Sequence, residues 1–222
     1  MSAFDASAAL AEIRARIARS AALAGRSPEA IELVAISKTR TAGEIMPLIE
    51  AGQRSFGENR VQEAQAKWPA LRERASGIRL HLVGQLQSNK AADAVALFDA
   101  IHAVDRPSLV AALARAMEAS GRRPSCFVQV NIGEEPQKGG VALAGLPDLL
   151  REVRAADLPL AGLMAVPPAD TEAAPYFALL AKLARDHGLE GLSMGMSADY
   201  ETAVMLGATQ VRVGTVLFGA RG

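Results

Sequence analysis

Net charge is the first thing this sequence lacks, because 24 lysines and arginines meet 24 aspartates and glutamates. A chain so balanced is not built to grip nucleic acid or an anionic membrane by bulk electrostatics. Cysteine is almost absent as well. Cys126 alone can close no internal disulfide and leaves no cysteine zinc site to assemble, which suits a reducing, cytoplasmic compartment. No apolar run reaches the roughly 20 residues of a membrane helix, since the most apolar stretch, 158–169, is broken by three prolines. Asp5, Glu12, Arg14, Arg16 and Arg19 interrupt the alanine-rich start of the chain and exclude a secretory apolar core there. Lysine is scarce, with five against 19 arginines. The ratio reads as base composition, but it makes each of Lys38, Lys67, Lys90, Lys138 and Lys182 worth reading singly.

What is present is a large apolar fraction, 50% of 222 residues, with no linker, repeat or low-complexity tract, so a single domain over 1–222 is expected. Eight short apolar runs recur with helical patterns between them: 33–38, 55–59, 79–84, 100–105, 126–132, 161–166, 192–197 and 210–219. Continuous rather than alternating hydrophobicity marks parallel strands buried on both faces. Helix signals separate them. Thr41 and Glu44 have capping-box spacing, Pro107 opens a helix that Gly121 closes, and Gly188 and Gly207 close two later ones. Eight such units predict an α/β fold, a single (β/α)8 TIM barrel, in preference to a flavodoxin-like open sheet. Strand eight, read as 210–219, leaves no helix after it. Leu10, Ile13, Ile17 and Leu23 share one helical face, so the N-terminal helix is expected to replace the eighth helix.

Chemistry in such a barrel gathers at the C-terminal ends of the strands. Lys38 ends the first apolar run, and a stem passing through dry surroundings favours the free amine that attacks carbonyls; the plain alternative is an ammonium reaching water. Ser197 falls where strand seven enters a helix and reads as an N-cap, with a hydroxyl and free N–H groups suited to phosphate. Gly214 allows close backbone approach and Thr215 adds a second hydroxyl. Alone, Ser197 is an ordinary cap and Thr215 an ordinary β-branched strand residue; together, on adjacent strands and with a lysine at strand one, they suggest an amine beside an anion site. Lys90 and Lys138 also fall near this mouth, while Lys67 and Lys182 read as solvated helix positions.

Other motifs fail on context. Gly191–Gly195 matches the G-x-S-x-G elbow, but His187, the last histidine, precedes Ser193, which lies within the expected strand, so a serine hydrolase is rejected. No phosphate-binding P-loop, dinucleotide fingerprint or H-E-x-x-H occurs. His81, His102 and His187 are scattered, and no metal site is expected from them.

Six blocks carry a resemblance that runs in order along nearly the whole chain: Val34–Thr39, Phe56–Asn59, His81–Lys90, Gly162–Pro167, Ser193–Ser197 and Val211–Thr215. Together they resemble the pyridoxal phosphate homeostasis protein family. The resemblance implies an alanine-racemase-like barrel, its N-terminal domain alone, that holds pyridoxal 5′-phosphate (PLP) as a Schiff base and buffers or delivers it without established turnover. It implies that Lys38 forms the Schiff base, that Ser197, Gly214 and Thr215 hold the phosphate, that Arg212 faces the pyridine nitrogen, and that Asn59 and Met164 line the ring. PLP-dependent apo-enzymes are the expected recipients and a monomer the expected state. An arginine donates to the ring nitrogen without surrendering its proton, which leaves the ring a weak electron sink. Racemases of this fold share that arginine but add an acid/base tyrosine from a further domain; Tyr176 and Tyr200 here read as helix residues after late strands. An amino-acid racemase is the first alternative, and a cofactor-free Schiff-base aldolase acting on a phosphorylated sugar is the second.

Overall fold

The structure, a computed structural model, describes residues 5–219. Eight parallel strands close into a barrel in sequence order: β1 (Glu32–Ile36), β2 (Ser55–Glu58), β3 (Arg79–Leu82), β4 (Ala100–Val104), β5 (Ser125–Gln129), β6 (Leu160–Met164), β7 (Gly191–Ser193) and β8 (Gln210–Val213). Closure is made by β1 against β8, with Glu32 opposite Gln210 and Val34 opposite Arg212. Most strand residues are buried, as continuous apolar runs require when helices cover the outer face.

The helices are α1 (Ala6–Leu23), α2 (Ala42–Glu50), α3 (Val61–Arg74), α4 (Ala91–Leu97), α5 (Pro107–Ser120), α6 (Leu146–Ala155), α7 (Ala174–Asp186), α8 (Tyr200–Met205) and α9 (Thr215–Phe218). Thr41 and Glu44 form the full capping box at α2. Pro107 opens α5 and Gly121, at φ 68°, closes it in the left-handed conformation that glycine adopts without a Cβ clash.

Helix α1 lies against α8 and α9 on one side and α2 on the other, the place of a barrel's eighth helix. Asp5 caps it, accepting from the N–H groups of Ser7 and Ala8. Leu10, Ile13 and Ile17 are buried, each worth about 1.5–3 kcal/mol of apolar transfer, and Arg26 fastens the helix's exit to the carbonyls of Val204 and Ala208 at 2.7 and 2.8 Å. Leu23 departs from the expected face and is 81% exposed, because the helix ends there and the chain turns away.

Two late strands are shorter than the sequence suggests. Gly195, at φ 90°, ends β7 early, and a Cβ there would stand 2.5 Å from that of Ala203. Gly214 turns the chain out of β8, so Thr215 opens the one-turn helix α9 instead of continuing the strand. A short helix therefore does follow strand eight, beside α1. Among the described residues, no helix is long and apolar enough to cross a membrane.

Candidate functional site

At the C-terminal mouth of the barrel a cavity of about 330 Å3 is lined by Ile36, Lys38, Asn59, Val83, Val166, Met196, Ser197, Arg212, Gly214 and Thr215. Six of the seven residues singled out in the sequence meet here. The seventh, Met164, is buried at the end of β6 and does not line the cavity; Val166 and Met196 supply the apolar wall on that side. Asn59 reaches the wall because Gly84 leaves room: a Cβ at Gly84 would stand 2.4 Å from the Asn59 carbonyl oxygen.

Lys38 sits half-buried in the turn after β1. Its amine has no hydrogen-bond or ion-pair partner among the described residues, whereas each of the other four lysines meets a carboxylate: Lys67 with Glu58 and Glu63, Lys90 with Asp93, Lys138 with Glu135, Lys182 with Asp186. A lone amine facing a cavity is available to a ligand.

Opposite it, Ser197 accepts a hydrogen bond from the Gly214 N–H at 3.2 Å, which ties the loop after β7 to the end of β8. Ser197 is not the helix cap that its position in the sequence suggests. Asp199 occupies that place and takes the Met196 N–H at 2.6 Å, leaving the Ser197 hydroxyl hydrogen free for the cavity. A Cβ at Gly214 would press on Ile36 at 3.3 Å, so the backbone approaches closely there.

Arg212 rises from β8 and is 5% exposed. It donates to the Ser193 hydroxyl at 2.6 Å and to the Ala165 carbonyl at 2.9 Å. Burial pushes its guanidinium down to about 10, against an opposing pull from Asp199, so it remains a cation at neutral pH. Ser193 is thus occupied by Arg212 and by His102, whose Nδ1 lies 2.8 Å away.

Lys90 lies on a neighbouring cavity with Asn59 and Gln85, and Lys138 on one that shares Val166's wall, where it also donates to the Pro167 carbonyl at 3.0 Å. Lys67 corrects the sequence reading. Its side chain is 11% exposed rather than solvated, and it donates to the carbonyls of Ser37 and Arg40 on either side of Lys38 and Thr39. A larger cavity, about 520 Å3, lies at the opposite barrel end under α1, where Arg14 and Arg54 are bonded to Gln53 and to neighbouring carbonyls. It holds no lysine, and its size does not make it the site.

The closed parallel barrel with helices between its strands falls in a known class. Residues 9–222 match the alanine racemase N-terminal domain family, to which the chain belongs. Within that class it belongs to the pyridoxal phosphate homeostasis proteins. It is 40% identical over 224 residues to the pyridoxal phosphate homeostasis protein of Escherichia coli K12, covering 96% of this chain and 95% of that one, and 38% identical to the Mycobacterium tuberculosis protein of the same name, covering 96% and 92%. The structure of PipY from Synechococcus elongatus with PLP bound superposes with a TM-score of 0.79 at 40% identity, over 91% of this chain and 100% of that one. Alanine racemase of Clostridium difficile superposes with a TM-score of 0.69 at 13% identity, over 94% of this chain and 56% of that one, a likeness of fold alone.

Proposed function

We propose that this chain binds pyridoxal 5′-phosphate in the mouth cavity and holds it for storage and delivery. The carrying observation is the unpartnered amine of Lys38 facing the same cavity as Arg212, Ser197, Gly214 and Thr215. That donor set fits the ligand: an amine for an aldehyde, hydroxyls and a close backbone for a phosphate, a guanidinium for an aromatic nitrogen, and Ile36, Val83 and Val166 for the ring faces. The Lys38 nitrogen adds to the aldehyde carbon and water leaves, giving a Schiff base that hydrolysis reverses. Ser197 and Thr215 donate to phosphate oxygens. Arg212 donates to the pyridine nitrogen and keeps its proton, so the ring is not driven toward carbanion chemistry. Asn59 orients the ring from the β2 side.

Storage is favoured over racemisation by where the tyrosines lie. Tyr200 is buried beneath α1 with the Arg16 guanidinium over its ring, and Tyr176 is on α7; neither lines the cavity. The Escherichia coli and Mycobacterium relatives carry a homeostasis name, and PipY has been solved with PLP bound, which supports the same ligand here. The single domain acts in the cytoplasm as a monomer, with PLP-dependent apo-enzymes as recipients. The test is to add pyridoxal 5′-phosphate to purified protein, reduce with borohydride and map the peptides. The visible absorbance band and the pyridoxyl mass on Lys38 are expected. A colourless protein, or the mass on another lysine, overturns the assignment. An α-proton exchanged from an added amino acid in deuterated water would restore the racemase.

A further inference from the structure

Behind the mouth cavity, the barrel interior holds a line of buried polar side chains. Arg212 touches Ser193; Ser193 touches His102; His102 Nε2 lies 3.0 Å from His81 Nδ1; and His81 Nε2 lies 3.5 Å from Glu32 Oε1. Ser193, His102 and His81 are fully buried, and His102 is stacked on Phe127 at 4.6 Å. Glu32 stands at the first residue of β1, at the end of the barrel opposite Lys38, where Ser55 and Gln210 donate to its two oxygens.

The proton order along this line follows from its ends. A guanidinium only donates, so the Ser193 oxygen accepts. The single Ser193 hydrogen then has His102 Nδ1 as its acceptor, which leaves that nitrogen bare. A neutral His102 carries its proton on Nε2 and gives it toward His81 Nδ1. His81 in turn carries its proton on Nε2, facing a carboxylate. The reverse order would aim two hydrogens at Ser193 and strand its own hydroxyl hydrogen in a buried site. Burial, with the charge of the nearby Arg212 guanidinium, holds His102 well below the ordinary imidazole range, in keeping with a neutral ring.

We propose that Ser193 and His102 are positioning residues for Arg212, members of a one-way hydrogen-bond relay that runs from Arg212 through Ser193 and His102 to His81 and aims the guanidinium into the mouth cavity, with Glu32 3.5 Å beyond His81 at the opposite end of the barrel. The relay occupies the Ser193 oxygen with its own hydrogen turned to His102, so that it stays an acceptor for the buried guanidinium beside the ligand. It rests on the reading of Arg212 as the partner of the pyridine nitrogen. No local motif announces it, because its members come from β3, β4, β7 and β8.

The test has two arms. In ligand-free protein labelled with 15N-histidine, long-range 1H–15N correlation is expected to show His102 neutral from pH 6 to 8, with its proton on Nε2, the nitrogen that faces His81. A proton on His102 Nδ1, or titration of His102 in that range, overturns the relay. In the second arm, Ser193→Ala weakens pyridoxal 5′-phosphate binding about tenfold, the scale of one lost hydrogen bond, and moves the visible band, while Ser193→Thr, which keeps the hydroxyl, restores both. Equal affinity and an unmoved band in Ser193→Ala overturn the relay with the ligand reading intact. A wild-type protein that takes up no pyridoxal 5′-phosphate overturns the ligand reading, and the histidine tautomers then decide the relay.

Discussion

The Lys67 ammonium donates to the carbonyl oxygen of Ser37 at 2.9 Å, one residue before Lys38 in the chain. It also reaches the Arg40 carbonyl at 3.1 Å, and its carboxylate partners are Glu63 and the fully buried Glu58, each at 2.9 Å. Glu63 accepts the Thr39 N–H at 2.5 Å, holding Thr39 at φ 62°, a conformation unusual for a β-branched residue. One lysine thus fixes the turn on which the other stands.

Replacing Lys67 by methionine removes the cation from a buried carboxylate and two carbonyls from their donor. The expected loss is about 3 kcal/mol of stability, the scale of a broken buried ion pair. Urea denaturation measures it, and a parallel titration with pyridoxal 5′-phosphate is expected to show weaker binding, because the Lys38 turn loses its brace. A variant as stable as the wild type would show that the turn holds itself.

Lys38→Ala behaves in the opposite way. Since the amine has no protein partner among the described residues, its removal is expected to change stability by no more than about 0.5 kcal/mol, as for a surface substitution. The same variant is expected to lose the visible band and all borohydride-fixed ligand. A large drop in stability would reveal a structural role that the geometry does not show.

The contrast between these two lysines marks where the sequence is legible. Period, capping and glycine placement are local, so the eight strands, the box at Thr41 and Glu44, and the inward face of α1 could be read directly. The mouth residues could be read because strand ends in a parallel barrel converge. Lys67 could not: with Glu63 four residues before it, it looks like any exposed helix pair, and only the fold brings its ammonium to the carbonyl of Ser37, 30 positions earlier. Ser193 was hidden by a strand end misplaced at Ser197, and His81 and His102 by their separation of 21 residues. Both histidines lie on adjacent strands, the one signal that could have paired them.

Cys126 gives a chemical prediction. Burial pushes its thiol up to about 12, against a smaller opposite pull from Arg123, and its side chain has no exposed surface. The thiolate is the reactive form, so at pH 8 the folded protein holds on the order of a thousandfold less of it than an unfolded chain. Disulfide reagents are expected to leave the native protein unlabelled over hours and to titrate one thiol at once in urea. Rapid native labelling would mean that β5 opens readily.

Glu32 sets the acid limit. Burial alone would raise its carboxyl, but the neighbouring His81 imidazole at 3.5 Å, with further help from the Ser55 hydroxyl and the Arg79 guanidinium, carries it down from 4.5 to about 2. A carboxyl lowered in the folded state stabilises the fold above its unfolded value, and that contribution disappears as pH falls through the folded one. Here the stabilisation is complete above about pH 5 and is lost between there and about pH 2, with a size on the order of 3 kcal/mol at 1.36 kcal/mol per unit. Urea denaturation of the wild type and of Glu32→Gln separates this group from the other carboxylates. The variant is expected to be less stable at pH 7 and to fall less steeply with acid, so that the gap narrows by more than half at pH 3. A gap that stays constant from pH 7 to pH 3 would mean that the carboxyl of Glu32 is not lowered by the groups at its side, His81, Ser55 and Arg79.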